Sequence, residues 1–284
     1  MMFHLFSRST EGSISAEKRN VAIAELVLFS TVQFVQFSLR YIQEWRYWHH
    51  KKRKNPFRCA FYSWFSMIGL LSQIRIANNA MILSTSYPTS SMLIAESSMQ
   101  SVGLSPLLFE VSLVLLRCGQ AGEFGPGKSK YPKPTRVMLH GFRLPIIVAI
   151  VMTVVGRIIQ IHGLAEAGSV LLVVAYAFVC GLIAWLAGKS RSILSASGYR
   201  GILVTSFTLP FLLVRIIYFV LLTDGSPKFN PANGDVGILA GMGLLMEILI
   251  VSLLVMARTV TEPISSPPDS KMLAISDDLE PSRN

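Results

Sequence analysis

Thr208–Thr223, TLPFLLVRIIYFVLLT, is apolar throughout except for Arg215 near its middle. It lies inside a run long enough to cross a bilayer. A guanidinium in hydrocarbon costs several kcal/mol unless it meets a carboxylate, another polar partner or a water-filled cavity. Arg215 therefore requires partners from elsewhere, and the other apolar runs of the chain supply candidates.

The composition around this stretch is that of a polytopic membrane protein. Of 284 residues, 51% are hydrophobic and 15% charged, with a mean hydropathy of +0.50, whereas soluble domains carry about 25% charged residues. The net charge of +10 sits mostly in short segments between apolar runs. That placement suits anionic lipid head groups and points away from nucleic acid. No polar stretch is long enough to bury a core of its own. The first twenty residues lack the features of a signal peptide, so the first apolar run is expected to act as an uncleaved anchor. Cys59, Cys118 and Cys180 have no regular spacing, which fits neither a disulfide framework nor a zinc site. No cofactor or metal is expected.

Seven segments approach or exceed the roughly 20 residues a spanning helix needs. They lie near Val21–Ile42, Cys59–Leu83, Met92–Arg117, Val137–Gly163, Gly168–Ala187, Gly201–Leu222 and Gly237–Ala257. The expected fold is an all-α, seven-helix transmembrane bundle over residues 21–258. An extracytoplasmic segment of residues 1–20 precedes it, and a Pro-rich disordered cytoplasmic tail of residues 259–284 follows. Arg46, Lys51, Lys52, Arg53, Lys54 and Arg58 fill the first loop, Lys128, Lys130, Lys133 and Arg136 the third, and Lys189, Arg191 and Arg200 the fifth. The alternate loops are nearly bare of Lys and Arg, which places the N-terminus outside and the C-terminus in the cytoplasm. The Arg46–Arg58 loop, flanked by Trp45, Tyr47 and Trp48, is expected to face anionic lipid.

Two motifs mislead. Gly122–Ser129 matches the phosphate-loop pattern, but an apolar helix precedes it and Pro132 and Pro134 follow, so no strand–loop–helix can form around it. His49-His50 lies in a basic run that repels a metal ion. Gly237, Gly241 and Gly243 have the spacing of a close-packing stripe. Seven helices with the N-terminus outside invite comparison with G-protein-coupled receptors. However, Arg117 has no acidic neighbour and the last helix lacks Asn-Pro-x-x-Tyr.

At about 1.5 Å per helical residue, Arg75, Arg157 and Arg215 fall roughly 9–12 Å below the outer helix ends. Glu25 and Glu96 fall about 6 Å below them and Glu247 about 15 Å. Three arginines and three glutamates on six helices thus share the outer half of one bilayer. Arg75, Asn78 and Asn79 occupy one stripe; Glu96, Gln100 and Gly103 another, with Glu110 returning near it. Thr153, Arg157 and Gln160 line up, and Arg215 shares a face with Tyr218. These stripes are expected to meet at a polar cavity open to the outside, and arginines left without carboxylates there favour an anionic ligand.

Val102-Gly103-Leu104-Ser105-Pro106-Leu107-Leu108, Leu209–Tyr218 and Met246-Glu247 resemble a family of filamentous-fungal seven-helix membrane proteins classed as a domain of unknown function, over about Val21–Arg258. The resemblance implies a multi-pass membrane protein, with Arg75, Arg215 and Glu247 as family-like polar residues, and raises the prospect of a role beside secondary metabolism. The expected function is binding or sensing of a small polar or anionic molecule. Arg75, Asn78, Asn79, Glu96, Gln100, Arg157, Arg215, Tyr218 and Glu247 are the candidate ligand-binding residues. The alternative is an acid-initiated cyclase or isomerase with Glu247 or Glu96 as proton donor; transport ranks below both.

Overall fold

The computed structural model describes residues 15–50, 55–85, 89–121, 129–159, 161–189, 191, 194–223 and 235–261, and all regular structure among them is helical. The phosphate-loop look-alike apart from Ser129, Gln160, the tail beyond Thr261 and the side chains of Arg46–Lys54 lie outside the described residues. In chain order the helices are α1 (Ala16–His50), α2 (Pro56–Trp64), α3 (Met67–Ser84), α4 (Ser90–Val102), α5 (Leu104–Gln120), α6 (Lys133–Gly141) and α7 (Arg143–Ile158). Then follow α8 (His162–Lys189), α9 (Ala196–Ser206), α10 (Leu209–Thr223), α11 (Val236–Ile238), a π-helical segment (Leu239–Leu245) and α12 (Met246–Val260).

Prolines set three of the helix breaks. A proline cannot donate to the carbonyl four residues earlier, and its ring collides with it. Counting back four from Pro106, Pro145 and Pro210 gives Val102, Gly141 and Ser206, the last residues of α4, α6 and α9. At two of the breaks a hydroxyl pairs with a carbonyl of the last helical turn. Ser105 Oγ donates to the Val102 carbonyl at 2.6 Å, and Thr208 Oγ1 to the Thr205 carbonyl at 2.6 Å. Across each break the apolar pattern continues.

Among the described residues, six runs are consequently long and apolar enough to cross a bilayer: Ala16–Trp45, Met92–Gln120, Lys133–Ile158, Gly163–Lys189, Ala196–Thr223 and Val236–Val260. They make the chain a multi-pass helical membrane protein by length and composition. The run expected at Cys59–Leu83 is not among the six. It is divided at Phe65–Ser66 into α2 and α3, and α3 carries Ser72, Arg75, Asn78 and Asn79 into the interior at the expense of hydropathy.

The Met92–Gln120 run is the centre of the bundle, with most of its residues buried, whereas the other five turn most of theirs outward. Its α5 half packs on α3, α4, α6, α7, α9, α10 and α12. Leu104, Leu107, Leu108, Val111, Val114 and Leu115 form the middle of one continuous apolar core. Phe34, Leu144, Val151, Val170 and Phe207 point the other way and stay more exposed than buried, as lipid-facing side chains do. α7 and α8 form the tightest hairpin. A side chain at Gly156 would place its Cβ 2.6 Å from the Ala165 nitrogen.

Ser66 holds the break that lets α3 enter the interior. Its hydroxyl caps α3 by accepting from the Gly69 N–H at 3.0 Å and receives the Gln36 amide of α1 at 3.2 Å. Ser66→Ala is expected to cost about 1 kcal/mol, read as a lower unfolding midpoint in detergent micelles, whereas Ser66→Thr retains most of the stability.

Candidate functional site

The site forms where α3, α4, α10 and α12 meet. Arg75, on the buried face of α3, donates from Nε to Glu247 Oε2 at 2.8 Å, from Nη2 to Glu247 Oε1, and from Nη1 to Gln100 Oε1 at 2.6 Å. Arg215 of α10 reaches the same carboxylate: its Nε and Nη2 donate to Glu247 Oε1 at 2.9 and 2.5 Å. Its Nη2 also reaches the Gln100 carbonyl at 3.3 Å. Arg75, Arg215 and Glu247 are each no more than 2% exposed. One carboxylate from α12 is thus clamped by two guanidiniums from separate helices, Arg75 spanning both oxygens in the bidentate geometry that guanidinium favours and Arg215 bringing two donors to Oε1.

Two backbone features make room for this contact. Gly103, at the proline-induced break between α4 and α5, lies against the pair. A Cβ there would sit 2.7 Å from Arg75 Nη2 and 2.8 Å from Glu247 Oε1. The π-helical segment Leu239–Leu245 ends one residue before Met246 and Glu247. Such wide turns recur at functional sites because they shift the phase of the residues that follow. This segment also corrects the reading of Gly237, Gly241 and Gly243 as a close-packing stripe. A Cβ at Gly241 would meet nothing within 4 Å, and one at Gly243 only the Leu239 side chain at 3.7 Å.

The remaining predicted residues surround this pair rather than all converging on it. Asn79 donates to Glu25 Oε2 and to the Arg75 carbonyl, both at 2.9 Å, and Glu25 lies in the field of Arg75 and Arg215. The Arg215 guanidinium sits over the Tyr218 ring, 5.0 Å from its centroid, a cation–π contact. Asn78 is fully buried, yet neither its amide nitrogen nor its oxygen has a hydrogen-bond partner among the described residues. Glu96 is engaged elsewhere, 2.8 Å from the Lys18 ammonium. The sequence reading missed Lys18 because α1 begins at Ala16, a full turn before the expected start at Val21. Arg157 lies in the field of Tyr218, and its guanidinium reaches the Ser97 carbonyl at 3.1 Å, the Ser97 hydroxyl, and the Thr223 hydroxyl at 3.2 Å. No carboxylate among the described residues faces it.

Glu110 departs furthest from the expected arrangement. Its side chain turns to the other end of the bundle, where it pairs with Arg258 at 2.6 Å and Arg40 at 3.3 Å. The network around Glu247 therefore joins Lys18, Arg75, Arg157 and Arg215 with Glu25, Glu96 and Glu247, leaving cations in excess by one. No group of three or more metal-ligating side chains occurs among the described residues.

Because removing one partner of a buried charge cluster strands the others, Glu247→Gln is expected to destabilise the protein by about 3–5 kcal/mol. Gly103→Ala, by crowding the same contact, is expected to cost about 1–3 kcal/mol. Unfolding of purified protein in micelles measures both, and the expected order is Glu247→Gln below Gly103→Ala below wild type.

Neither the curated proteins nor the solved structures contain a match to the chain. One family model matches residues 16–262, from the start of α1 to just past the end of α12. With nearly all described residues inside that match, the chain belongs to the family described as a domain of unknown function, DUF7702.

Proposed function

We propose that this protein is a seven-span membrane protein, N-terminus outside and C-terminus cytoplasmic, that binds or senses a small anionic molecule in the outer half of its bundle. The observation that carries the ligand reading is Arg157. Among the described residues its guanidinium faces only hydroxyls and a carbonyl, beside Tyr218, at the edge of a network whose other cations and carboxylates are equal in number. A carboxylate or phosphate arriving there supplies the missing counter-charge. Asn78, buried with both amide atoms unpartnered, offers a further donor and acceptor, since buried amides are ordinarily satisfied.

In this reading α3 is the seventh span. Its 18 residues rise about 27 Å, close to the thickness of the hydrocarbon core, and its Arg75 and Asn79 side chains meet α1, α4 and α12. The Arg46–Arg58 segment then lies against the anionic inner leaflet, as the loop charges require. The filamentous-fungal affiliation that the resemblance implies belongs to this reading as well.

Transport is the second reading, favoured by one observation. The proline breaks leave discontinuous helices at the polar layer, and the Gln100 carbonyl just before one break is a ligand within the site, as in transporters. Acid-initiated catalysis has less support. Both oxygens of Glu247 are occupied by guanidinium donors, which suits an anion holding position better than an acid delivering a proton.

Thermal unfolding of the purified protein against acetate, succinate, pyruvate and inorganic phosphate tests the proposal. At least one anion is expected to raise the midpoint saturably. Arg157→Gln, whose neutral partners tolerate the change, is expected to fold normally and lose the effect; no stabilisation by any anion of the panel contradicts the reading. For the topology, an N-glycosylation acceptor placed within residues 1–14 is expected to be modified, and one in the tail to stay unmodified.

A further inference from the structure

A second charge cluster lies at the opposite end of the bundle, where Arg40 of α1, Arg117 of α5 and Arg258 of α12 converge near Glu110. Glu110 is fully buried, and only its Oε1 is bonded, to Arg258 and Arg40. Arg117 lies in the field of Arg40, Glu44 and Glu110, and Arg258 in that of Glu110, Arg40, Arg117 and Glu44. Arg143 of α7 joins from the far side of α5. Its Nε donates to Ser112 Oγ at 3.2 Å, and it too lies in the field of Glu110. On the Glu110 face three guanidiniums thus meet two carboxylates, Glu110 and Glu44, with Arg143 behind them.

The charge excess is accompanied by unused donors. The Nε atoms of Arg40, Arg117 and Arg258 and Nη2 of Arg143 are buried without a hydrogen-bond partner among the described residues. Leaving one charged donor unsatisfied is costly, and leaving three in one cluster calls for an occupant. Depth indicates which. Arg117 lies three residues before the end of α5 and Arg258 two before the end of α12, about 3–5 Å from the helix ends. On the proposed topology that end of the bundle faces the head groups of the inner leaflet.

We propose that this cluster is a binding site for a single phosphoryl group, held by Arg40, Arg117 and Arg258. A phosphoryl group fits the chemistry better than a carboxylate does. It carries one to two negative charges where guanidiniums outnumber carboxylates, and its several oxygens match guanidinium forks arriving from different helices. Glu110 positions Arg40 and Arg258 and keeps the empty site from carrying the whole positive charge. The same chemistry is offered by an anionic lipid head group entering from the leaflet and by a free phosphate entering from the aqueous side.

The full-length chain in phosphatidylcholine nanodiscs tests the proposal in two arms, one titrated with inorganic phosphate and the other with phosphatidic acid built into the disc. Native mass spectrometry and the unfolding midpoint are the readouts. The expected result is one phosphorylated ligand retained per chain with a raised midpoint. A response to inorganic phosphate assigns the site to a soluble phosphate, and a response to phosphatidic acid alone assigns it to a lipid head group. Arg117→Gln is expected to weaken the response at least tenfold. Arg117→Lys, which keeps the charge without the fork, is expected to fall between. No response in either arm, or a response unchanged in Arg117→Gln, overturns the proposal. Should Arg117→Gln fail to fold, the wild-type stoichiometry decides: one ligand surviving activation supports the site, and none or a broad distribution contradicts it.

Discussion

The structure depends on one carboxylate shared by two guanidiniums. Glu247 enters from α12, Arg75 from α3 and Arg215 from α10, and none of the three has water to fall back on. In hydrocarbon an unpaired arginine is expensive enough to forbid most helix arrangements. The three helices are thereby held at one depth and one rotation. Gly103 and the π-helical turn before Glu247 are the local adjustments that allow the contact, one by removing a side chain and the other by shifting the helix phase.

Much of this was legible in the sequence because intramembrane charges are few. Arg215, Arg75 and Glu247 stand out in apolar runs, and their requirement for partners follows from solvation alone. The prolines announced the helix breaks for a similar reason, since each removes a specific donor and acts four residues back along the chain. The all-helical, membrane-spanning character followed from composition and run length.

Pairings were harder to read, since they depend on rotations that neighbouring helices decide. Glu96 was grouped with the central charges by spacing, yet it meets Lys18, which the sequence assigned to a polar tail. One extra turn at the start of α1 makes that difference. Arg157 found hydroxyls on α4 and α10, and such weak partners leave no trace in hydropathy. Arg40, Arg117 and Arg258 sit near helix ends, where basic residues ordinarily read as interfacial anchors. Only the three-dimensional arrangement brings them around Glu110. The span count is ambiguous for a related reason: α3 lowers its own hydropathy by carrying the polar residues the interior uses.

The bundle thus has two polar layers, one around Glu247 and one around Glu110, separated along the Met92–Gln120 run by the apolar core of α5. The most direct test of the central claim is the stability of a triple variant, Arg75→Met, Arg215→Met and Glu247→Met, beside its three single variants. If the carboxylate and both guanidiniums form one unit, each single variant is far less stable than wild type, and the triple recovers most of the loss. Single losses that simply add in the triple variant would show that the three charges act apart and contradict the account.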